Sequence, residues 1–366
     1  MLTPSRLAIA RKRRGLTLTS LAGLAGLSTR SVSLYENGHA EPAGDTLLLL
    51  AGALGVSAAF LRGPDADEIP AGLVSFRAPS KMTARQRDQA LSSGRVALLV
   101  DEWIDARFET PDPDVPTLTG YDPESAAEVV RARWGLGQRP VANLLHLLEA
   151  HGVRAYSLTA GDSALDAYSL HWRGRPYIFL NTGKTGERGR FDAAHELGHL
   201  VLHGEHLVPA RPAAEAEANR FAGAFLMPRA SVLGQGLRDA TPDRILAAKR
   251  VWKVAAMALA HRLHELGLLT EWGYRTACVQ LSQRGYRRAE PSGIPRETSQ
   301  LLTKVFRSLR EQGEPLAEVA AAIGIGTAEL RSHVFGLALT AVPGERAAAG
   351  GGAGRGDLRL VPPSGE

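Results

Sequence analysis

Cysteine is almost missing from this chain: Cys278 is the one example among 366 residues. A single thiol excludes an internal disulfide framework and fits a reducing compartment. No apolar run approaches the length needed to span a bilayer, which argues against a membrane protein. Strong charge imbalance is lacking as well. A formal charge of +5 and an isoelectric point near 9.5 permit a nucleic-acid partner without demonstrating one. The basic run Arg11–Arg14 followed by GLTLTSLAGLAGLS has the outline of a secretion signal, but its threonines and serines fall at regular helical boundaries, so a cytoplasmic location is expected. What remains is ordinary for a soluble globular protein, with 44% hydrophobic and 22% charged residues and length for two or more domains.

The stretch that organises the chain is His195-Glu196-Leu197-Gly198-His199, inside the run FDAAHELGHLVLH. Phe191, Ala194, Leu197, Val201 and Leu202 recur with helical spacing and give the segment an apolar flank. Residues four apart on a helix lie one above the other, so His195 and His199 present their rings to one point. Two neutral imidazoles converging in this way suit Zn²⁺, and Glu196 projects beside that point as a general base. A catalytic zinc usually has three protein ligands, so a second helix must supply another. The Glu-rich segment AEAEANRFA offers Glu215 or Glu217. Glu215 is favoured because Asn219 then stands one turn on and can hold a ligand histidine from behind; Glu217 is the alternative. An isolated HExxH is expected by chance in roughly 2% of chains with this histidine content, but here it has a helical context and a partner helix. His203 and His206 lie past the motif, where surface or supporting roles are expected, because Gly204 ends the helix.

The stretch from Asn181 through RGRFDAAHELGHLVLH to EAEANRFAGAFLMP resembles the ImmA/IrrE family of bacterial zinc metallopeptidases. The resemblance implies a zincin-like domain with a thermolysin-like site core and, as substrate, a helix-turn-helix repressor.

Residues 1–62 read as five short helices. Pro4 starts the first and Gly15 ends it; Thr17 caps a second, Gly26 supplies a turn, and Ser28 caps a third. Ala22, Gly26, Val32 and Tyr35 stand where a helix-turn-helix needs a small residue, a left-handed turn and two buried anchors. The block resembles the Xre-type phage-repressor DNA-binding domain, with Thr29–Glu36 as recognition helix. Arg30 would then bond to guanine, Thr29 and Ser33 would touch base edges, and Ser28 and Ser31 would suit phosphates. Arg6, Arg11, Lys12, Arg13, Arg14, Arg30 and Arg62 outweigh Glu36, Glu41 and Asp45. Lys12 is read as a phosphate contact. Leu18 departs from the resemblance, standing where many members carry a polar DNA-contacting residue.

Between these landmarks, residues 63–80 are rich in proline, glycine and acid and read as an interdomain linker. A long amphipathic helix is expected over about 83–108, and further helices over 123–134 and 141–150. Strands are expected at 154–158, 167–172 and 176–180, the last two as a hairpin around Arg173-Gly174-Arg175. In a zincin an edge strand of this kind lies along the cleft, where an extended peptide can add to it by backbone hydrogen bonds. Two helices follow within 241–266. Residues 271–342 form a helical C-terminal region, whose EPLAEVAAAIGIGTAELRSHVFGL stretch has a helix-turn-helix rhythm; helical packing or effector sensing is favoured there over DNA contact. Residues 343–366 are low-complexity and expected to be disordered.

The fold class expected is mostly α with a small β-sheet (α+β). It comprises an all-α helix-turn-helix domain (1–62), a linker (63–80), a zincin-like metallopeptidase domain (81–270), the helical region and the tail. The corresponding function is a DNA-binding transcription regulator with a zinc metalloendopeptidase domain that cleaves a repressor. Its partners would be double-stranded operator DNA and a protein substrate, with no membrane and with homodimerisation left open. The alternative is a non-cleaving transcription factor whose metallopeptidase-like domain senses a small ligand.

Overall fold

The computed structural model describes residues 1–77, 82–159, 165–204, 212–287, 289–291, 293–334 and 336–338. His206, residues 339–342 of the helical region and the tail 343–366 lie outside the described residues. The described chain is mostly helical with one small sheet.

The N-terminal block holds α1 (Pro4–Lys12), α2 (Leu18–Ala25), α3 (Thr29–Glu36), α4 (Gly44–Leu54) and α5 (Ala58–Leu61). Each short helix is set by local chemistry. The Thr17, Ser28 and Ser57 hydroxyls accept from the backbone N–H groups of Ser20, Ser31 and Phe60, filling orphan donors at three N-termini. Gly26 closes α2 at φ +66°, a left-handed turn that side chains with a Cβ resist. The turn lets α3 cross α2, and Leu7, Leu21, Ala22, Val32, Leu47, Leu50 and Leu61 close the core.

After α5 comes β1 (Ser75–Arg77), then the long α6 (Ala84–Asp105). A capping box starts α6: the Thr83 hydroxyl accepts from Gln86 N–H while the Gln86 side chain accepts from Thr83 N–H. Next are α7 (Pro123–Arg133), α8 (Leu144–Ala150), β2 (Arg154–Ser157), β3 (Ala167–Trp172), β4 (Arg175–Leu180), α9 (Gly186–Leu202) and α10 (Pro212–Leu226). The chain continues through α11 (Arg229–Leu233), α12 (Pro242–Trp252), α13 (Ala256–Glu265), α14 (Glu271–Gln283), α15 (Gln300–Glu311), α16 (Leu316–Ile323) and α17 (Thr327–Val334).

The sheet order is β1-β3-β4-β2; β2 runs parallel to β4, and the other neighbours are antiparallel. The hairpin turns on Arg173 (φ 50°) and Gly174 (φ 76°), the two-residue loop whose twist suits antiparallel strands. Alternation sorts the strand side chains onto two layers. Tyr168, Leu170, Trp172, Tyr177 and Phe179 pack in the layer shared with α6, whereas Ala155, Ala167, Ile178 and Leu180 join α9 and α10 on the other face. A buried cluster pins α6 to the sheet: the Tyr156 and Tyr177 hydroxyls donate to Asp101 at 2.7 Å each, and Arg154 bridges Asp101 and Asp105.

Three expectations change. The segment 63–80 is not simply a spacer, because it contributes β1 to the sheet and buries Ala66, Ile69 and Val74. Likewise the hairpin offers no edge strand, since β1 lies outside β3 and β2 outside β4. The helix expected from Val141 begins only at Leu144, where the Asn143 side chain caps it through His146 N–H. The C-terminal helices are tied to the rest of the chain. Glu149 on α8 accepts the N–H groups of Gln300 and Leu301 at the start of α15. The α16–α17 turn meets the N-terminal block through Ser57 N–H to Gly324 O at 2.9 Å and the Arg13–Glu329 ion pair. Among the described residues no helix is long and apolar enough to cross a membrane.

Candidate metal centre and DNA-binding face

The Thr185 hydroxyl starts α9 by accepting from Arg188 N–H, and the helix then runs buried for most of its length. Its fourteen buried positions include His195, Glu196 and His199, all of them 1% exposed or less. Close approach of α10 depends on Gly198. A Cβ there would stand 3.2 Å from Ala218 Cα and 3.1 Å from the Phe221 ring, tighter than packed atoms normally sit. With no side chain at 198, α10 lies against α9 and Glu215 reaches across.

The His195 and His199 Nε2 atoms lie 3.0 Å apart, and each is 3.3 Å from a carboxylate oxygen of Glu215. Four ligands held about 2.05 Å from a zinc-sized ion in a tetrahedron are separated by about 3.3 Å. Each imidazole nitrogen meets a different oxygen of Glu215, His195 Nε2 facing Oε2 and His199 Nε2 facing Oε1, so the donors stand at about the separation of neighbouring ligands on such an ion, and their chemistry suits zinc.

Proton positions follow from the neighbours. His195 Nδ1 is 3.1 Å from Asn219 Oδ1, which accepts its N–H and leaves Nε2 with a lone pair. His199 is set through two residues. Glu217 accepts from His203 Nε2 at 3.0 Å, so His203 Nδ1 carries the lone pair; it accepts from His199 Nδ1 at 3.0 Å, which leaves His199 Nε2 as a donor to metal. Two lone pairs facing each other at 3.0 Å beside a carboxylate call for a cation.

Glu215 thus faces both imidazole nitrogens, whereas Glu217 sits behind the site on His203. Asn219, one turn on from Glu215, meets His195 from behind. Glu196 is fully buried, and its Oε2 accepts from the Ser169 hydroxyl of β3 at 2.6 Å. Ser169 is a neighbour of the site that the sequence reading missed; His203, read there as surface or supporting, pairs with Glu217 behind His199. The available signal for Ser169 was a small polar residue inside an apolar strand, AYSLHW, which must find a partner when buried.

On α3, Ser28, Thr29 and Arg30 are exposed and Ser31 and Ser33 are half-buried. The hydroxyls expected on phosphates have internal partners: Ser28 caps the helix and lies 2.8 Å from the Ser31 hydroxyl. Ser33 receives the Asn37 side-chain amide on its carbonyl at 2.8 Å. Much of the basic run is also engaged. Arg11 forks onto Glu36, Arg13 pairs with Glu329, and Lys12 Nζ contacts both oxygens of Glu68 at 2.6 and 2.7 Å. Lys12 thus holds an exposed ion pair with Glu68 in this structure. Arg14, Arg30 and Arg62 are the exposed cations of the block.

Known families cover both regions. Residues 7–61 match the family described as helix-turn-helix, and residues 148–264 match a peptidase family described as the IrrE N-terminal-like domain. No curated protein matches the chain. From its N-terminus, then, the chain carries a helix-turn-helix domain followed by an IrrE N-terminal-like peptidase domain, within whose span fall all the side chains of the candidate metal centre.

Proposed function

We propose that the chain is a DNA-binding transcription regulator whose metallopeptidase domain, with zinc held by His195, His199 and Glu215, hydrolyses a helix-turn-helix repressor. The observation that carries the reading is the convergence of those three donors beside buried Glu196. When bound, zinc supplies Lewis acidity toward the scissile carbonyl and lowers the pKa of water toward ~7.

The remaining steps belong to the chain. Asn219 and the His203–Glu217 pair keep both ligand imidazoles in the Nδ1–H form. Glu196 takes a proton from the attacking water and later delivers it to the leaving amine. The Ser169 hydroxyl, donating to Glu196 Oε2, holds the carboxylate in place for both transfers. Exposed Arg30 and Thr29 on α3 would read base edges in the major groove, while Ser28, Ser31 and Ser33 shape the start and face of that helix. Residues 1–62 and 81–270 carry these two activities.

A second reading, a non-cleaving transcription factor that senses a small ligand through the peptidase-like domain, is favoured by one observation: β1 covers the outer side of β3. Glu196→Gln separates the two. The change preserves size and leaves the three donors in place, so zinc content and DNA affinity are expected to stay as they were. A protease loses about 10²–10⁴-fold in rate with its positioned acid–base group. The readout is the promoter response in cells carrying the variant, alongside the level of intact repressor. Normal regulation without repressor cleavage in either strain would eliminate the protease and leave the sensor.

A further inference from the structure

The strand beside the motif helix has two sides. One side of β3 pairs with β4, the other with β1, in the register Ser75↔Ser169, Phe76↔Tyr168 and Arg77↔Ala167. Ser169, opposite Ser75, is the residue whose hydroxyl holds Glu196. The backbone of β1 therefore runs along the stretch of β3 nearest the general base. An extended polypeptide aligning there by main-chain hydrogen bonds would need the same donors and acceptors.

β1 comes from the segment joining α5 to α6, and both of its flanks are anchored without it. Upstream, Ile69 and Val74 are buried, and Arg95 Nε donates to Asp67 O at 3.0 Å. Downstream, α6 has its own capping box at Thr83 and Gln86. A three-residue strand makes few ladder bonds, so exchange for another strand is within reach. The segment is also tied to the helix-turn-helix domain, through Arg6 Nε to Pro64 O at 2.8 Å and the Lys12–Glu68 pair.

We infer that residues 75–77 occupy in cis the backbone edge on which an extended polypeptide would align, and that this strand must leave β3 before a substrate can enter. The inference rests on the peptidase reading for its meaning, but not for its test, since occupancy is a matter of binding.

The test uses the full chain and a fluorescent peptide with the sequence of residues 68–77. In one arm, Ser75→Pro/Phe76→Pro/Arg77→Pro removes every N–H of the strand, and proline cannot donate to a ladder. Peptide binding, followed by anisotropy, is expected to tighten at least about tenfold (~1.4 kcal/mol) over the parent; equal affinity in a variant of unchanged zinc content overturns the inference. In the second arm the parent chain is saturated with peptide and followed by amide hydrogen exchange. Faster exchange at residues 75–77 is expected, and bound peptide with unchanged protection there overturns it without reliance on any variant. Cleavage is read separately. Tighter binding with no hydrolysis anywhere refutes the peptidase and leaves the cis occupant standing. Hydrolysis equal in parent and variant, with equal binding, does the reverse.

Discussion

His195, His199 and Glu215 of α9 and α10 turn toward one another, whereas Thr29 and Arg30 of α3 turn outward. In the first region nearly every polar atom has its partner within the fold: His195 with Asn219, His199 with His203, His203 with Glu217, Glu196 with Ser169. In the second, Thr29 and Arg30 face solvent, and their partner would be another molecule. A site closed on itself is determined by packing, because burying a polar group without a partner is costly. A surface that waits for DNA is not so constrained, and nearby charges find intramolecular partners instead, as Lys12 does with Glu68.

The largest effect that could break this contrast lies at the closed site. Glu215→Ala is expected to lower zinc affinity by at least ~100-fold, and Glu217→Ala, two shells out, by about tenfold. Competition against a chromophoric chelator measures both. Equal losses would mean that Glu217 is no supporting residue and that the chain of hydrogen bonds through His203 does not orient His199.

The contrast is sharpened next where the two regions are joined. His333 on α17 is 1% exposed, and burial, with the charge of Arg13, lowers its pKa from 6.5 to about 4. The folded state therefore disfavours the protonated ring that the unfolded chain accepts readily. Stability from this group is complete above pH 6.5 and is lost as pH falls toward 4, by about 3 kcal/mol at one pKa unit per 1.36 kcal/mol. Unfolding titrations at pH 7 and pH 4 should show that loss in the parent and a smaller one in His333→Leu. An identical pH dependence in both would remove His333 from the account.

The smallest effects lie on the outward face. Arg30→Ala is expected to cost ~1–3 kcal/mol of specific DNA binding, as for a bidentate guanine contact. Lys12→Ala should leave the slope of affinity against salt unchanged, because its charge is already spent on Glu68. A slope reduced by about one ion in the Lys12 variant would return that residue to the DNA surface.

These contrasts also explain what could be read from sequence. The three hairpin and crossover strands, the five N-terminal helices and the spacing of His195 and His199 follow from local periodicity and caps. Glu215 and Asn219 follow too, because helical geometry places one a turn beyond the other. The roles that escaped are long-range. Ser169 meets Glu196 only after β3 packs on α9; its place in an apolar strand says that it needs a partner, but not which one. Lys12, Arg13 and Arg11 look like one basic run in the sequence, but their partners Glu68, Glu329 and Glu36 come from three different parts of the chain. Strand β1 is short and sits among prolines and glycines, so its pairing is decided by the edge it meets rather than by its own composition.

Gly198 gives the closed site a property that its ligands alone do not. The separation of α9 and α10 is fixed by contact of Ala218 and Phe221 against a residue with no side chain. That separation is also the span across which one carboxylate and two imidazoles must close. On the proposed reading the helix crossing would work as a caliper, set for bonds of the ~2.0–2.2 Å that suit a zinc-sized ion. Spreading the helices by one methyl would set the jaws for longer bonds, so the choice among cations would be made partly by a residue that touches none of them.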